Sequence, residues 1–300
     1  MRVITPALLA AAGIGFNTSF NQGVESVEKT WDKIAMLCPS YGAENIYPWL
    51  KTLPGMREWI GERFVHRLEA EGFRVANKLF EETYAVKRTD IEDDQLGIYG
   101  PAFQMLGESA AQLPDELVWS LLPTGFTTTT WDGQYFFDTD HPVLAKDGSV
   151  KSVSNFGGGA GTAWYLVCTV RIRKPFLFQK RTEVEFVRKD KIDDERAFWA
   201  DEFLYGTRLR CNAALGFWQM VYASKQPLTT ANFDAAYAAM CQITGDYDRP
   251  LSIKPNLLVV PSTLRGAANE VIEAERLANG ATNTNRNLVD IHVELRLPNS

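Results

Sequence analysis

Apolar side chains recur at helical spacing over residues 5–37, but thinly: Leu8, Leu9, Phe16, Phe20, Val24, Val27 and Trp31 stand among small and polar residues. Thr5-Pro6 predicts a helix start, with the threonine as N-cap and proline at the first helical position. So weakly apolar a helix is marginal alone and needs a surface to lie on. Beyond Trp49, Leu50, Leu53, the Pro54-Gly55 turn and Trp59, the pattern turns strand-like over residues 63–68 and 73–87, predicting a hairpin around 69–72. Phe64, Val65, Leu68, Phe73, Val75, Leu79 and Phe80 alternate there with Arg63, His66, Arg67, Arg74, Lys78, Glu81 and Glu82. A ribbon with no continuous dry face does not offset its ordering entropy unless a neighbouring surface covers it.

Thr89-Asp90, with Glu92-Asp93-Asp94 behind it, predicts a helix N-terminus, and helical spacing continues from 98 to 122, interrupted or bent at Gly97, Gly100-Pro101 and Pro114. Residues 126–161, rich in Thr, Gly, Asp and Ser, read as turns and loops. Strands are expected at 164–170, 171–179, 183–188 and 203–212, with Phe217 and Trp218 closing the block. Thr229 and Thr230 cap a helix to about 243, a buried strand spans 257–260, Ser262 and Thr263 cap a helix through 277, and a last strand spans 288–297. Helices and strands mix without a regular βαβ rhythm, so the expected class is α+β.

With 45% hydrophobic and 23% charged residues, the 300-residue chain can bury a real core and divide into subdomains. Its net charge of −6 argues against a protein whose main work is gripping nucleic acid. Arg2 and the apolar stretch 3–16 imitate a secretory signal, but Thr5-Pro6 reads better as a cap, and no 18-residue apolar window predicts a membrane span. Cys38, Cys168, Cys211 and Cys241 lie far apart, without metal or redox spacing, and read as buried apolar residues of a reducing compartment.

The most enzyme-like cluster is Asp138, Asp140 and His141, a set that could hold a divalent ion or relay protons in a hydrolase. Against that, aspartates cap local amides in turns, and His141 precedes a proline that imposes extended geometry, so the turn reading is preferred. The run Gly157-Gly158-Gly159-Ala160-Gly161-Thr162 lacks the lysine of a phosphate loop and reads as a flexible linker. Asp193-Asp194-Glu195 reads as a solvated helix start, since no calcium-loop pattern follows. His66 and His292 stand outside any motif. No catalytic residue, cofactor or metal is implied.

The order of segments resembles the major head subunits of Mu-like phages over essentially the whole chain. The residues that carry the likeness include Asn77-Lys78, Phe80-Glu81, Asp90-Ile91-Glu92-Asp93-Asp94 and Leu96-Gly97-Ile98-Tyr99. Pro114-Asp115-Glu116-Leu117, Asp132-Gly133-Gln134, Phe136-Phe137-Asp138, His141-Pro142-Val143, Lys174-Pro175-Phe176 and Phe178-Gln179 follow. Glu202-Phe203-Leu204-Tyr205-Gly206, Gly216-Phe217-Trp218-Gln219-Met220, Lys254-Pro255 and Val259-Val260-Pro261 complete the series.

That resemblance implies an HK97-type capsid fold: an N-terminal arm (1–44), an extended loop (45–90), a peripheral domain with a spine helix and following loops (91–163), an axial part (164–185), peripheral strands (186–225) and an axial domain (226–300). It implies a non-enzymatic shell protein of the virion, assembled in the host bacterial cytoplasm. The implied partners are copies of itself in hexamers and pentamers, a separate scaffold protein, a portal and decoration proteins, with weak non-specific contact to packaged DNA and no membrane. A tail tube or sheath protein is the alternative structural reading.

In many capsid chains the segment resembling 257–297 precedes the one resembling 164–222; the reversal here implies a permuted fold whose residues 294–297 finish beside the start of strand 164–170, with 156–161 as the new linker. A hairpin of about 16 residues per strand reaches roughly 50 Å at ~3.3 Å per residue, far beyond the ~19 Å radius of gyration of a compact chain of this length. It would therefore lie on neighbours, with Trp49, Trp59, Phe64, Phe73, Phe80 and Tyr84 as anchors and Phe16 and Phe20 from the arm beside them.

Overall fold

The computed structural model describes residues 3–51, 72–93, 95–277 and 280–299. In chain order it places α1 (Pro6–Ser26), β1 (Ala35–Pro39), β2 (Glu44–Tyr47), β3 (Phe73–Ala76), β4 (Lys78–Lys87), α2 (Arg88–Glu92), α3 (Gly100–Trp119) and α4 (Leu121–Thr124). Then come β5 (His141–Leu144), β6 (Val150–Val153), β7 (Phe156–Gly159), β8 (Trp164–Val167), β9 (Phe176–Lys180), β10 (Glu185–Lys189), α5 (Glu195–Ala200), β11 (Glu202–Leu215) and β12 (Val221–Lys225). The chain continues through α6 (Thr230–Cys241), β13 (Thr244–Gly245), β14 (Arg249–Pro250), β15 (Leu257–Val260), α7 (Arg265–Ile272) and β16 (Asp290–Val293).

Two five-stranded sheets organise these elements. In the first, β11 pairs antiparallel with β4, β10 and β9, and β1 adds in parallel to β9. In the second the order is β16-β15-β8-β12-β7. β8 and β15 are buried at every position, as expected for central strands covered on both faces. α1, α3, β4 and the first half of β11 enclose a smaller core, whereas the second sheet, β9 and the end of β11 enclose a larger one. No described helix is long and apolar enough to cross a membrane.

Thr5 caps α1 as expected, its Oγ1 accepting from the Leu8 N–H at 3.2 Å. The helix does not wait for a neighbour to lie on, because α3 of the same chain supplies the surface. At the crossing, a Cβ on Gly23 would stand 2.0 Å from the Gln104 carbonyl oxygen, and one on Gly107 2.0 Å from that of Phe20. The two backbones touch there, which only glycine permits. Phe16 consequently stacks on Phe103 at 4.4 Å and meets Tyr205 edge-on at 5.0 Å, and Phe20 packs on Phe186.

Several expectations are corrected. Residues 73–87 do not form one strand of a free ribbon: β3 pairs with β2, and β4 pairs along ten residues with β11, so its backbone belongs to the chain's own sheet, with Val86 buried and Leu79 still exposed. Residues 63–68, with Trp59, Phe64 and His66, lie outside the described residues. The helix start expected at Thr89-Asp90 is the short α2, which begins one residue earlier, with Lys87 as N-cap, and ends at Glu92. α3 continues through Pro114, where burial of Ala110 and Ala111 on one side and Asp115 and Val118 on the other outweighs the roughly 3 kcal/mol cost of an internal proline.

The stretch 126–161 contains a hairpin, β5–β6, turned at Gly148 (φ +83°), and the edge strand β7. Gly159 is there for closeness, since a Cβ would stand 2.3 Å from the Lys225 carbonyl carbon. The linker reading of 156–161 therefore fails. Strand 171–179 starts only at Phe176, and the last helix runs as a 3-10 turn, Ser262–Leu264, into α7 and stops at Ile272. Three cysteines are buried, and burial pushes the Cys211 thiol up to about 12, but Cys241 is exposed. Glu294 donates its N–H to the Val260 carbonyl at the end of β15, the strand next to β8, and just ahead of β8 Thr162 Oγ1 donates to the Asn299 carbonyl at 3.3 Å.

The α1–α3 crossing yields a paired expectation. Gly107→Ala should lower the stability of the unassembled chain by about 1–3 kcal/mol, whereas Gly15→Ala, facing open space on the same helix pair, should raise it by about 0.5–1 kcal/mol. Denaturant melts of both variants check this.

Candidate functional site

The enzyme-like cluster does not converge. His141, fully buried, points its Nδ1 at Asp132 Oδ2 (2.7 Å) and its Nε2 at Asn155 Oδ1 (3.2 Å), with Trp218 stacked on the ring at 3.8 Å. Asn155 Nδ2 donates to the carbonyls of Phe136, Trp218 and Val221, which leaves its Oδ1 facing the imidazole and the Asp138 N–H. Both ring nitrogens thus face side-chain oxygens, and the ring is fixed on both edges. Asp138 caps its own turn, accepting from the N–H groups of Thr139 and Tyr135. Asp140 is exposed, its carboxyl raised by a hydrogen bond with Asp138. The aspartate that matters to the histidine is Asp132, which the sequence motif did not include, and the assembly ties the 131–141 turn to the second sheet.

A second buried polar chain joins the end of α3 to both ends of the sequence. Asp115 Oδ1 accepts from the N–H and Oγ1 of Thr30, both at 2.9 Å, and from the Trp31 N–H. Trp119 Nε1 donates to Thr30 Oγ1 at 2.9 Å and its ring stacks on His292 at 4.6 Å. His292 reaches Glu294, which also accepts from Arg296. Burial pushes the Glu294 carboxyl up, but His292 and the N–H and guanidinium of Arg296 more than offset it and hold the group below its usual range.

The expected interface aromatics fall into three groups. Phe16 and Phe20 are 4% and 2% exposed, enclosed by the chain's own helices and sheet, so they have no surface left for a neighbour; the reason is the glycine crossing. Trp49, Phe73, Phe80 and Tyr84 are half-buried, each resting on the chain's own core with part of the ring outward. Trp49 lies against Tyr47 and Phe217 under the Arg173 guanidinium, 4.7 Å from the ring centre. Trp59 and Phe64 lie outside the described residues. The reading missed Phe198 and Trp199, which stand 77% and 81% exposed. Their signal was an aromatic pair inside a densely charged run.

The profile of the "Mu-like prophage major head subunit gpT" family matches residues 9–296. The chain is 40% identical to the major capsid protein of Escherichia phage Mu, covering 93% of this chain and 94% of that one. It is also 40% identical to the Mu-like prophage FluMu major head subunit of Haemophilus influenzae, over 92% of each. The subunit in the procapsid of bacteriophage JBD30 superposes with a TM-score of 0.86 at 46% identity, covering 98% of this chain and all of that one. The JBD30 capsid subunit gives 0.77 at 36% identity, covering 99% and 100%.

Asp132→Ala should destabilise the chain by about 1–3 kcal/mol, because it leaves a buried ring nitrogen of His141 without its hydrogen-bond partner; the readout is the denaturant midpoint. For Glu294, a lowered folded-state pKa means stability that is present above the ordinary value of 4.5 and lost as pH falls through the folded value. Glu294→Gln should therefore flatten part of the loss of melting temperature below about pH 4.5.

Proposed function

The chain belongs to the Mu-like prophage major head subunit family, phage shell proteins of the HK97-type α+β fold, and on that premise we propose how its parts share the work. It is a major capsid protein that self-assembles into the head shell of a Mu-like phage, a structural component of the virion and not an enzyme. The observation that carries this is the superposition of nearly the whole chain on the JBD30 procapsid subunit. Neither the fold nor the relatives support the hydrolase or tail-tube alternatives.

In the proposed division, the first sheet with α1 and α3 is the peripheral part, with α3 as its spine, and the second sheet with α6 and α7 is the axial part. This adjusts the sequence-based boundaries: α1, β4 and α2 are packed into the peripheral body, and the extended loop proposed to reach neighbours is the rest of the 45–90 segment, whose residues 52–71 lie outside the described residues. Trp59 and Phe64 in that segment, with the outward parts of Trp49, Phe73, Phe80 and Tyr84, are the proposed subunit-interface residues. The half-buried state of those four supports the reading, since rings seated on their own core are held ready for a second surface.

Assembly in hexamers and pentamers within the host bacterial cytoplasm, guided by a separate scaffold protein and closed at a portal, follows from the same premise. The JBD30 capsid is decorated with minor capsid protein trimers, and an equivalent decoration is proposed here. With a net charge of −6, contact with packaged DNA is weak and independent of base sequence.

Trp59→Ala and Phe64→Ala should cut the yield of closed shells strongly, at about 2 kcal/mol or more per contact, while leaving the melt of the unassembled chain unchanged. Electron microscopy and sedimentation read the first and circular dichroism the second. Equal loss of both would place these rings in the chain's own core.

A further inference from the structure

Two small hairpins face each other outside the larger core. One is β5–β6, whose turn is exposed from residue 146 to 149; the other is β13–β14, which pairs only Thr244 with Pro250 and Gly245 with Arg249. Neither is long enough to stand alone, since even a full two-stranded hairpin is marginal in water. Ile243 and Leu251, both buried in the larger core, fix the ends of the second hairpin, and the Arg171 guanidinium donates to the carbonyls of Leu251 and Ser252. Between those ends none of residues 244–250 is buried.

Each hydrogen bond that joins the two hairpins has an ionised group at one end. The Leu144 N–H donates to Asp246 Oδ1 and the Lys146 N–H to Asp248 Oδ2, both at 3.1 Å. Lys151 Nζ donates to Thr244 Oγ1 at 2.8 Å and to the Asp248 carboxylate. Lys151 and the Lys146 N–H together hold the Asp248 carboxyl below its usual range. The Lys151 and Asp248 side chains are 33% and 37% exposed, within reach of screening salt.

The backbone works against these bonds. Of the five non-glycine residues with positive φ among the described residues, Tyr247 (61°), Asp248 (55°) and Ser252 (52°) fall in this one segment. An aspartate enters the left-handed region readily, whereas a bulky aromatic does so only where its surroundings force it. The Tyr247 ring is half exposed, so its own packing offsets little of that strain.

We propose that the two hairpins form a charge latch over a sprung turn: in the folded chain they separate and re-close together, residues 244–250 relaxing at Tyr247, while the second sheet stays intact. A segment with so few buried apolar contacts opens far more easily than the whole fold. The latch gives the axial part a segment that changes shape with both cores fixed, a use that rests on the proposed function. The opening itself does not, and it is read on the unassembled chain whether or not shells form.

Hydrogen exchange of the unassembled chain, followed by mass spectrometry, tests the latch. Lys151→Met removes the shared cation and should speed exchange of residues 144–150 and 243–251 about ten-fold or more, with β8 and β15 unchanged. Tyr247→Gly keeps every latch contact and removes the left-handed strain, so it should slow exchange of the same segments about two-fold or more. In the unmodified chain, about 1 M salt, which shortens the screening length to about 3 Å, should speed that exchange several-fold.

Unchanged exchange in Lys151→Met overturns the latch, and faster exchange in Tyr247→Gly overturns the spring. Acceleration that extends equally into β8 and β15 overturns separate opening, since the hairpins would then part only with the whole sheet. If Lys151→Met does not fold, the salt series on the unmodified chain decides: equal exchange at low and high salt overturns the latch.

Discussion

Everything else hangs on two elements that run through both hydrophobic cores. α3, 20 residues and about 30 Å long, begins with Phe103, Leu106 and Ala110 in the smaller core and ends with Val118 and Trp119 in the larger. β11, 14 residues and roughly 46 Å when extended, does the same, from Phe203 and Tyr205 to Cys211, Ala214 and Leu215. Because each is one continuous hydrogen-bonded element, neither core forms without ordering the other's half of it.

Buried polar groups then fix how the remaining segments attach to this frame. Asp115 holds the chain where it leaves α1, Trp119 and His292 bring the last strand onto the same point, and the Asp132–His141–Asn155 set pins the 131–141 turn to the second sheet. Each satisfies its donors in one geometry only, so these contacts specify arrangement more than they add net stability. What resembled catalytic equipment in the sequence is structural polarity. The aromatic side chains left partly or wholly outside the two cores are others: Trp49, Phe73, Phe80 and Tyr84 are half-buried, and Phe198 and Trp199 are exposed.

Much of this was legible in the residues. Thr5-Pro6 and Thr229 announced their helices through side-chain capping, and the unbroken apolar run 257–260 announced a central strand, because capping and burial on both faces are local and leave local marks. The order of motifs was enough to suggest the family and with it the HK97-type fold.

Tertiary structure alone decided which surface each apolar side chain met. Phe16 and Phe20 read as anchors for a neighbour, and only the backbone contact at Gly23 and Gly107 turned them into their own core. Strand 78–87 read as a free ribbon until β11, more than a hundred residues later, supplied its partner. Asp138 caps its turn as the sequence suggested, but that Asp132 and Asn155 meet the two nitrogens of His141 only the fold decided. In each case the deciding atoms are close in space and distant in the chain or turned by a loop. Hydrophobic pattern specifies that a side chain seeks cover, while only the assembled backbone specifies whose cover it finds.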